Sequence, residues 1–379
     1  MAAAPAATQV AFTHDLFVSQ EAVRRGVVKG TQDRTDRHWA LWLDFCQELD
    51  VDPLLRAFSD PVPFFQVFAT RYRRRPGRSA DCVRSGTVQD AVRSVGQTMA
   101  RMGAKDLRKD GSGALDFRLT RQFKYYTRMD PPPHRVKPIP LSLIRYLANL
   151  SRNADPATQA ITDMIILAFF FLLRPGEYTG TANDDTPFRL QDIQLLIGER
   201  RLDLLHASEV DLWRATSVSL TFTTQKNGVR GEIVNHGLSG HDLLCPVRAT
   251  IRRVLHLRQH NVAPTTILAN YFTPTNRHKQ VLAADVTKLL KKAATTQGAA
   301  YGYSPDDISA RSLRAGGAMA LFNANVDKDT IQLIGRWQSD AMLRYLHLQA
   351  QPVMQGFSRR MLVGGDYRFH ANSMLVPLY

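Results

Sequence analysis

The sequence predicts a mainly α chain with a small β-sheet, divided into a helical domain and a larger α+β domain. Apolar residues recur at helical spacing through most of the chain. The alternating stretch SVSLTFTTQKNG runs into a turn at Lys226, Asn227 and Gly228, and VRGEIVNH reads as its returning strand. PPPHRVKPIP sets five prolines in ten positions, through which no helix can continue. At 379 residues, 44% of them hydrophobic, the chain has ample material for a core.

Residues 1–30 are Ala-rich and weakly patterned, and are expected to form a flexible N-terminal segment. The helical domain is expected over 31–130. In it Trp39, Trp42, Leu43, Cys46 and Leu49 share a helical stripe that Pro53 closes, and Phe64, Phe65, Val67, Phe68 and Tyr72 share a second. A third helix runs from Thr87 to Met102 with Val88, Val92, Val95 and Met99 on one side, and LDFRLTRQFKYYTRM reads as a last short one. The Pro-rich linker occupies 131–140.

The larger domain is expected over 141–350, with a tail over 351–379 that docks on a neighbouring copy or covers its own domain. It opens with the helix in PIPLSLIRYLANL and continues into the uncharged run that ends LLRPGE. A short strand is expected between Asp192 and Leu205, then the hairpin, then a helix with Pro246 near its start and another from Ala283 to Ala294. DISARSLRAGGAMAL is helical in tendency, with Gly316 and Gly317 weakening it or permitting close packing, and Asp307 is expected to cap it. Two short helices follow, parted around Gly335 to Ser339.

Lys and Arg total 49 against 34 acidic residues, a formal charge of +15, which favours a polyanionic partner and nucleic acid first. RYRRRPGR packs Arg71, Arg73, Arg74, Arg75 and Arg78 into eight positions, and Arg93, Arg121 and Lys124 project from predicted helices. These are the candidate phosphate contacts, because a guanidinium offers several fixed donors to phosphate oxygens; a solvated turn is the plainer reading of the cluster. Cys46, Cys82 and Cys245 are odd in number and lack metal-ligand spacing, as in a reduced, intracellular protein. No secretory signal is evident, and the apolar stretch from Met164 to Leu173 is too short to span a membrane.

Arg174, Lys226, Arg311, Arg314, Arg336, Trp337 and Tyr345 fall at predicted helix ends or turns. Two arginines can clamp the nonbridging oxygens of a phosphodiester and oppose the charge that grows at a five-coordinate transition state. A tyrosine oxygen can attack the phosphorus and hold the strand as a reversible ester, and a lysine can protonate the departing 5′-oxygen. That chemistry calls for neither metal nor cofactor.

In this order the motifs resemble those of the tyrosine recombinase/integrase family of DNA breaking and rejoining enzymes, most specifically over residues 138–350. LLRPGE is similar to the family's first arginine box, with Arg174 as clamp and Glu177 in support; QKNG matches the hairpin lysine, Lys226. RSLRAGGA resembles the second box, with Arg314 as second clamp, and GRWQSDAMLRYLH the last, with Tyr345 as nucleophile. The resemblance implies a helical core-binding domain plus an α+β catalytic domain. It also implies a 3′-phosphotyrosyl intermediate, dimers and tetramers on double-stranded DNA, strand exchange through a Holliday junction, and integration or excision of a mobile genetic element of phage-integrase-like kind. The two domains would suit a clamp around the duplex, in cytoplasm, nucleoid or nucleus according to host.

Two positions depart from the family pattern. Arg311 stands where a histidine is usual; arginine supplies charge and hydrogen bonds but does not exchange a proton at neutral pH. At the usual His/Trp position of the last box, spacing selects Arg336 and residue type selects Trp337. Read singly, Arg174 is also a partner for Glu177, Lys226 a surface lysine, Arg314 half of an ion pair and Tyr345 a packed aromatic. The alternatives are a recombinase-fold DNA-binding protein with impaired cleavage, or a replicon-maintenance enzyme that resolves dimers or closes hairpin ends.

Overall fold

In the computed structural model residues 5–27, 29–75, 82–132, 136–180, 187–223 and 231–337 are described, so Arg78, Lys226 and Tyr345 lie outside the described residues. The chain forms two compact units, Met1–Pro133 and His134–Tyr379. Among the described residues no helix is long and apolar enough to cross a membrane.

The first unit contains α1 (Ala6–Arg25), α2 (Lys29–Glu48), α3 (Val62–Arg73), α4 (Ser85–Arg101) and α5 (Phe117–Met129). The weakly patterned segment expected to be flexible therefore forms a helix, although α1 buries none of its residues. Packing of α2 to α5 follows their stripes: Trp42, Phe45, Phe65, Phe68, Val88, Val92, Val95, Met99, Leu119 and Phe123 make one core. Trp42 stacks on Phe65 with centroids 4.8 Å apart. On α2 the inward stripe is His38, Trp42, Phe45 and Cys46, while Leu43 and Leu49 from the expected stripe are exposed. The buried His38 is held through Nδ1 by the Ser94 hydroxyl at 3.0 Å and through Nε2 by the Tyr72 hydroxyl at 3.2 Å. Asp116 caps α5 by accepting from the Arg118 backbone N–H at 2.8 Å.

The second unit begins with α6 (Leu141–Leu150), α7 (Pro156–Phe170) and α8 (Pro175–Tyr178), then β1 (Ile193–Ile197), β2 (Arg200–Arg201), α9 (Glu209–Trp213), β3 (Ser217–Phe222) and β4 (Glu232–Gly237). It continues with α10 (Pro246–Arg258), β5 (Asn270–Phe272), β6 (His278–Gln280), α11 (Ala283–Gln297), α12 (Ser312–Asn323) and α13 (Lys328–Gly335). The four-stranded antiparallel sheet has the order β2-β1-β3-β4, and β5 pairs with β6 in a separate hairpin. The described chain is thus mainly helical with small antiparallel sheets, as the patterning predicts.

Helix α7 is the central element, apolar around nearly its whole circumference, as expected of a helix enclosed by others. Asp155 starts it by accepting from the N–H groups of Ala157 and Thr158, with Pro156 in the first turn, where no donor is needed. Leu172 ends it with a left-handed φ of 51°, which lets the Leu173 N–H reach back to the Ala168 carbonyl at 3.0 Å. Helix α12 lies close against α7 because of its glycines: a Cβ on Gly317 would stand 2.2 Å from the Phe169 carbonyl oxygen, and one on Gly316 2.5 Å from that of Ile139. Close packing is therefore what this glycine pair permits.

The cap expected from Asp307 is not made. Asp307 ends the short 3-10 turn Pro305–Asp307, accepts from Ser304 and pairs with Lys137 at 3.0 Å, while Arg311 occupies the N-cap position of α12. The α9 turn and the β5–β6 hairpin were not anticipated from the sequence; both are too short for periodicity to register.

Candidate active site

The C-terminal end of α7 leaves carbonyl groups with no helical partner. Two arginines that arrive from later in the chain satisfy them. Arg314, from the first turn of α12, donates to the carbonyls of Leu172 and Gly335. Arg336 donates toward Phe171 at 3.4 Å, Leu172 at 3.5 Å and Ile334 at 3.1 Å. The electronegative end of the α7 dipole favours both cations.

Glu177 ties the cluster to the Arg174 turn. Its Oε2 accepts from the Arg174 backbone N–H at 2.8 Å and from Arg336 Nη2 at 3.1 Å, while Oε1 accepts from Arg174 Nη1 at 2.9 Å. One buried carboxylate thus holds two guanidiniums, and three converge on the end of α7. Burial draws the Arg336 pKa below arginine's ordinary range, and Glu177 opposes that shift. Arg174 keeps a side-chain exposure of 29%, against 4% for Arg336, so Arg174 presents the outward guanidinium.

Aromatic rings fix the two inner arginines. Trp337 lies under the Arg314 guanidinium with its ring centroid 4.1 Å from Cζ, and Phe222, the last residue of β3, lies 3.7 Å from the Cζ of Arg336. Gly335 is required at the turn: a Cβ there would stand 1.6 Å from the Trp337 ring. Arg336 itself has a left-handed φ of 54°, a costly conformation for a branchless but bulky residue that the surrounding bonds hold in place. Tyr178 anchors α8 by donating to the Ala310 carbonyl at 3.0 Å, just before Arg311.

The described structure therefore brings Arg174, Glu177, Arg314, Arg336 and Trp337 to one place. Arg311 is exposed at the start of α12, three positions before the buried Arg314. Both candidates for the His/Trp position of the last box lie in the cluster: Arg336 joins the carboxylate, and Trp337 stacks on Arg314. The β3–β4 hairpin is registered as far as Phe222 opposite Glu232, and Lys226 and Tyr345 lie outside the described residues. The Phe171 and Leu172 carbonyls and the Phe222 ring were not legible in the sequence, since main-chain acceptors and one strand-end phenylalanine carry no motif.

In the first unit Arg71, Arg74, Arg75, Arg93, Arg121 and Lys124 are exposed, and Arg78 lies outside the described residues. Arg71 and Arg93 pair with Glu48 and Asp90, contacts at the surface worth about 0–1 kcal/mol that a phosphate can replace. Arg73 is placed differently from its neighbours. It is mostly buried, pairs with Asp130 at 2.9 Å, donates to the Val83 carbonyl at 3.1 Å and lies 4.6 Å from the Tyr126 ring, so its guanidinium is committed within the unit.

No family model and no curated protein matches the chain. Among solved structures it is similar to the Tn1549 transposon integrase in complex with transposon right end DNA, at 14% identity over 92% of this chain and 98% of that one, with a TM-score of 0.47. It is also similar to the XerA recombinase, at 14% identity over 88% of this chain and 100% of that one, with a TM-score of 0.36. The integrase from mycobacterium phage Brujita gives 17% identity over 92% of each chain and a TM-score of 0.28.

Proposed function

We propose that the protein is a tyrosine recombinase that cuts and rejoins double-stranded DNA through a 3′-phosphotyrosyl bond. The observation that carries this reading is the convergence of Arg174, Arg314 and Arg336 at the end of α7, where Glu177 holds Arg174 and Arg336 and the Leu172 carbonyl holds Arg314. Three cations and one anion leave an excess of positive charge where Arg174 opens to solvent, which suits a phosphodiester.

In the proposed reaction the Tyr345 oxygen attacks phosphorus and its proton leaves to solvent or a neighbouring base. The bond from phosphorus to the 5′-oxygen breaks, and Lys226 protonates that oxygen. Rejoining reverses the electron flow: a 5′-hydroxyl attacks the phosphotyrosine and Tyr345 regains its proton. Arg174 and the exposed Arg311 would face the phosphate oxygens, with Arg336 and Glu177 fixing Arg174; Arg314, held by Trp337 and by the carbonyls of Leu172 and Gly335, would act as second clamp by exchanging a carbonyl for a phosphate oxygen. Self-association on paired DNA sites and action on a mobile element belong to the same reading.

The test is a nicked suicide duplex carrying a site selected by the protein from a random-sequence pool. A denaturation-resistant adduct should form with wild type and disappear in Tyr345→Phe, and Arg174→Ala should lower its rate by about 10²-fold or more, the loss expected for one donor to the transition state. Tight binding without adduct would overturn the cleavage reading. It would favour the second one, motivated by Arg311 in place of a base: a DNA-binding protein on this scaffold. In that case Arg311→His should restore the adduct if the remaining groups are competent.

A further inference from the structure

Helix α5 has two unlike faces. Leu119, Phe123 and Tyr126 face the core, while Phe117, Tyr125 and Met129 are exposed at 67%, 59% and 61%. Arg121, Lys124 and Arg128 are interleaved with them and make no ion pair among the described residues. A stripe of large apolar side chains left in water beside unpaired cations requires an occupant, or it is a liability.

We infer that this face binds unpaired nucleic acid, by stacking bases on Phe117 and Tyr125 while Lys124 and Arg128 follow the phosphates. A shallow groove of about 540 Å³ runs along the helix between Phe117, Thr120, Arg121, Lys124, Tyr125 and Arg128. A second, of about 390 Å³, shares Lys124 and Arg128 with it and is lined further by Gln89, Leu115, Phe123 and Thr127. The two cations thus form a ridge between two shallow grooves, one of which carries the Phe117 and Tyr125 rings, so that bases can lie on the rings while phosphates follow the ridge.

Dimensions agree with this occupant. Phe117 and Tyr125 are eight residues apart, about 12 Å along the axis, which brackets roughly three bases at a stacking rise of about 3.4 Å. The Arg121 guanidinium already lies 5.2 Å from the Phe117 ring. A base inserted between them needs about 6.8 Å, twice the stacking distance, so a small outward swing of an exposed side chain suffices. Duplex DNA hides its base faces and would find only the cations; an acidic protein would have no use for two flat rings at this spacing. Stacking on aromatic side chains with cations beside them is how proteins hold single strands without reading sequence.

This inference rests on α5 alone and is independent of the assignment of Tyr345. The full-length protein is titrated with fluorescein-labelled twelve-mers of dT and rU and with a twelve-base-pair duplex, at several salt concentrations. In Phe117→Ala/Tyr125→Ala, affinity for the single strands should fall by about 10-fold or more with an unchanged salt slope, and duplex affinity should stay within about twofold. Arg121→Gln/Lys124→Gln/Arg128→Gln should lower the single-strand salt slope by about 1.4, at about 0.7 for each of the two phosphate contacts of Lys124 and Arg128. Either oligomer binding in this way supports the proposal, and the ratio of dT to rU affinity assigns DNA or RNA. Equal loss on duplex and single strands, or no loss on either, would overturn it. So would concentration-dependent self-association that the aromatic double substitution abolishes, since that would make the face an interface between copies of this chain. Circular dichroism of both variants should match wild type, because all five side chains are exposed.

Discussion

At the scale of single residues, Glu177 is the group on which the cluster depends. Removing one partner from a buried ion pair leaves the other charge uncompensated, at a cost of about 3–5 kcal/mol. Glu177→Gln should therefore lower stability by about that amount in urea unfolding, and Glu177→Gln/Arg336→Met should recover part of it; equal stability of the single variant and wild type would refute the bridging role. His256 supplies a pH dependence. Its Nε2 accepts from the Phe272 backbone N–H at 3.0 Å, and burial with the neighbouring Arg253 brings its pKa to about 4. The folded state thus takes up its proton less readily than the unfolded chain, near 6.5. The stability it contributes is complete above pH 6.5 and is lost as pH falls from about 6.5 to about 4. In His256→Gln, which retains an acceptor but does not titrate, melting temperature should fall less between pH 7 and pH 5 than in wild type. His38 and His236, whose pKa values burial also lowers, should maintain a smaller residual fall.

At the scale of elements, the pairing of α7 with α12 determines where Arg314 meets the end of α7. Gly317→Ala would press a methyl against the Phe169 carbonyl oxygen and against Leu172, whose own carbonyl binds Arg314. Overpacking of this kind costs about 1–3 kcal/mol, and the displacement of α12 should slow phosphotyrosyl formation further than stability alone would. Gly86 is the control. It lies in the first turn of α4 with nothing within 4 Å of an added Cβ, so Gly86→Ala, which restricts the unfolded chain without a clash in the folded one, should stabilise the protein by about 0.4–1 kcal/mol, measured by the same unfolding experiment. In the sequence Gly317 falls within a helical pattern and Gly86 at the edge of one, and neither position shows what faces it. Only the backbone that faces them makes one indispensable and the other dispensable.

At the scale of the whole molecule, each unit has its own core, that of Trp42, Phe65 and Val92 in the first and that of Ile165, Leu220 and Leu257 in the second. Separately produced fragments 1–133 and 134–379 should therefore each unfold cooperatively, with denaturant midpoints close to the transitions of the full chain. A fragment that lacks a cooperative transition would show that its unit needs the other. The formal charge of +15 predicts that duplex affinity of the full chain falls by about 10³-fold or more between 50 and 200 mM salt, if six or more phosphates are engaged. A slope near zero would remove the polyanion reading altogether.

The sequence by itself determined helices α2 to α7 and α10 to α13 and the β3–β4 pairing, and its charge set the expectation of a polyanionic partner. Periodicity, proline placement and net charge are local or summed properties, and each can be counted along a chain. It also marked Arg174, Glu177, Arg314, Arg336 and Trp337 through the order of short motifs, but left open which of the last two mattered. Tertiary structure brings both into the cluster, in different ways: Arg336 shares the Glu177 carboxylate, and Trp337 lies against Arg314. It also withdrew Arg73 from the basic cluster by pairing it with Asp130, 57 residues away. Nothing in RYRRRPGR distinguishes that arginine, because the distinction lies in which side of α3 meets the start of the next helix and the end of α5. Such choices depend on groups far apart in sequence and close in space, and burial then makes them binding, since a charge removed from water must find its partner.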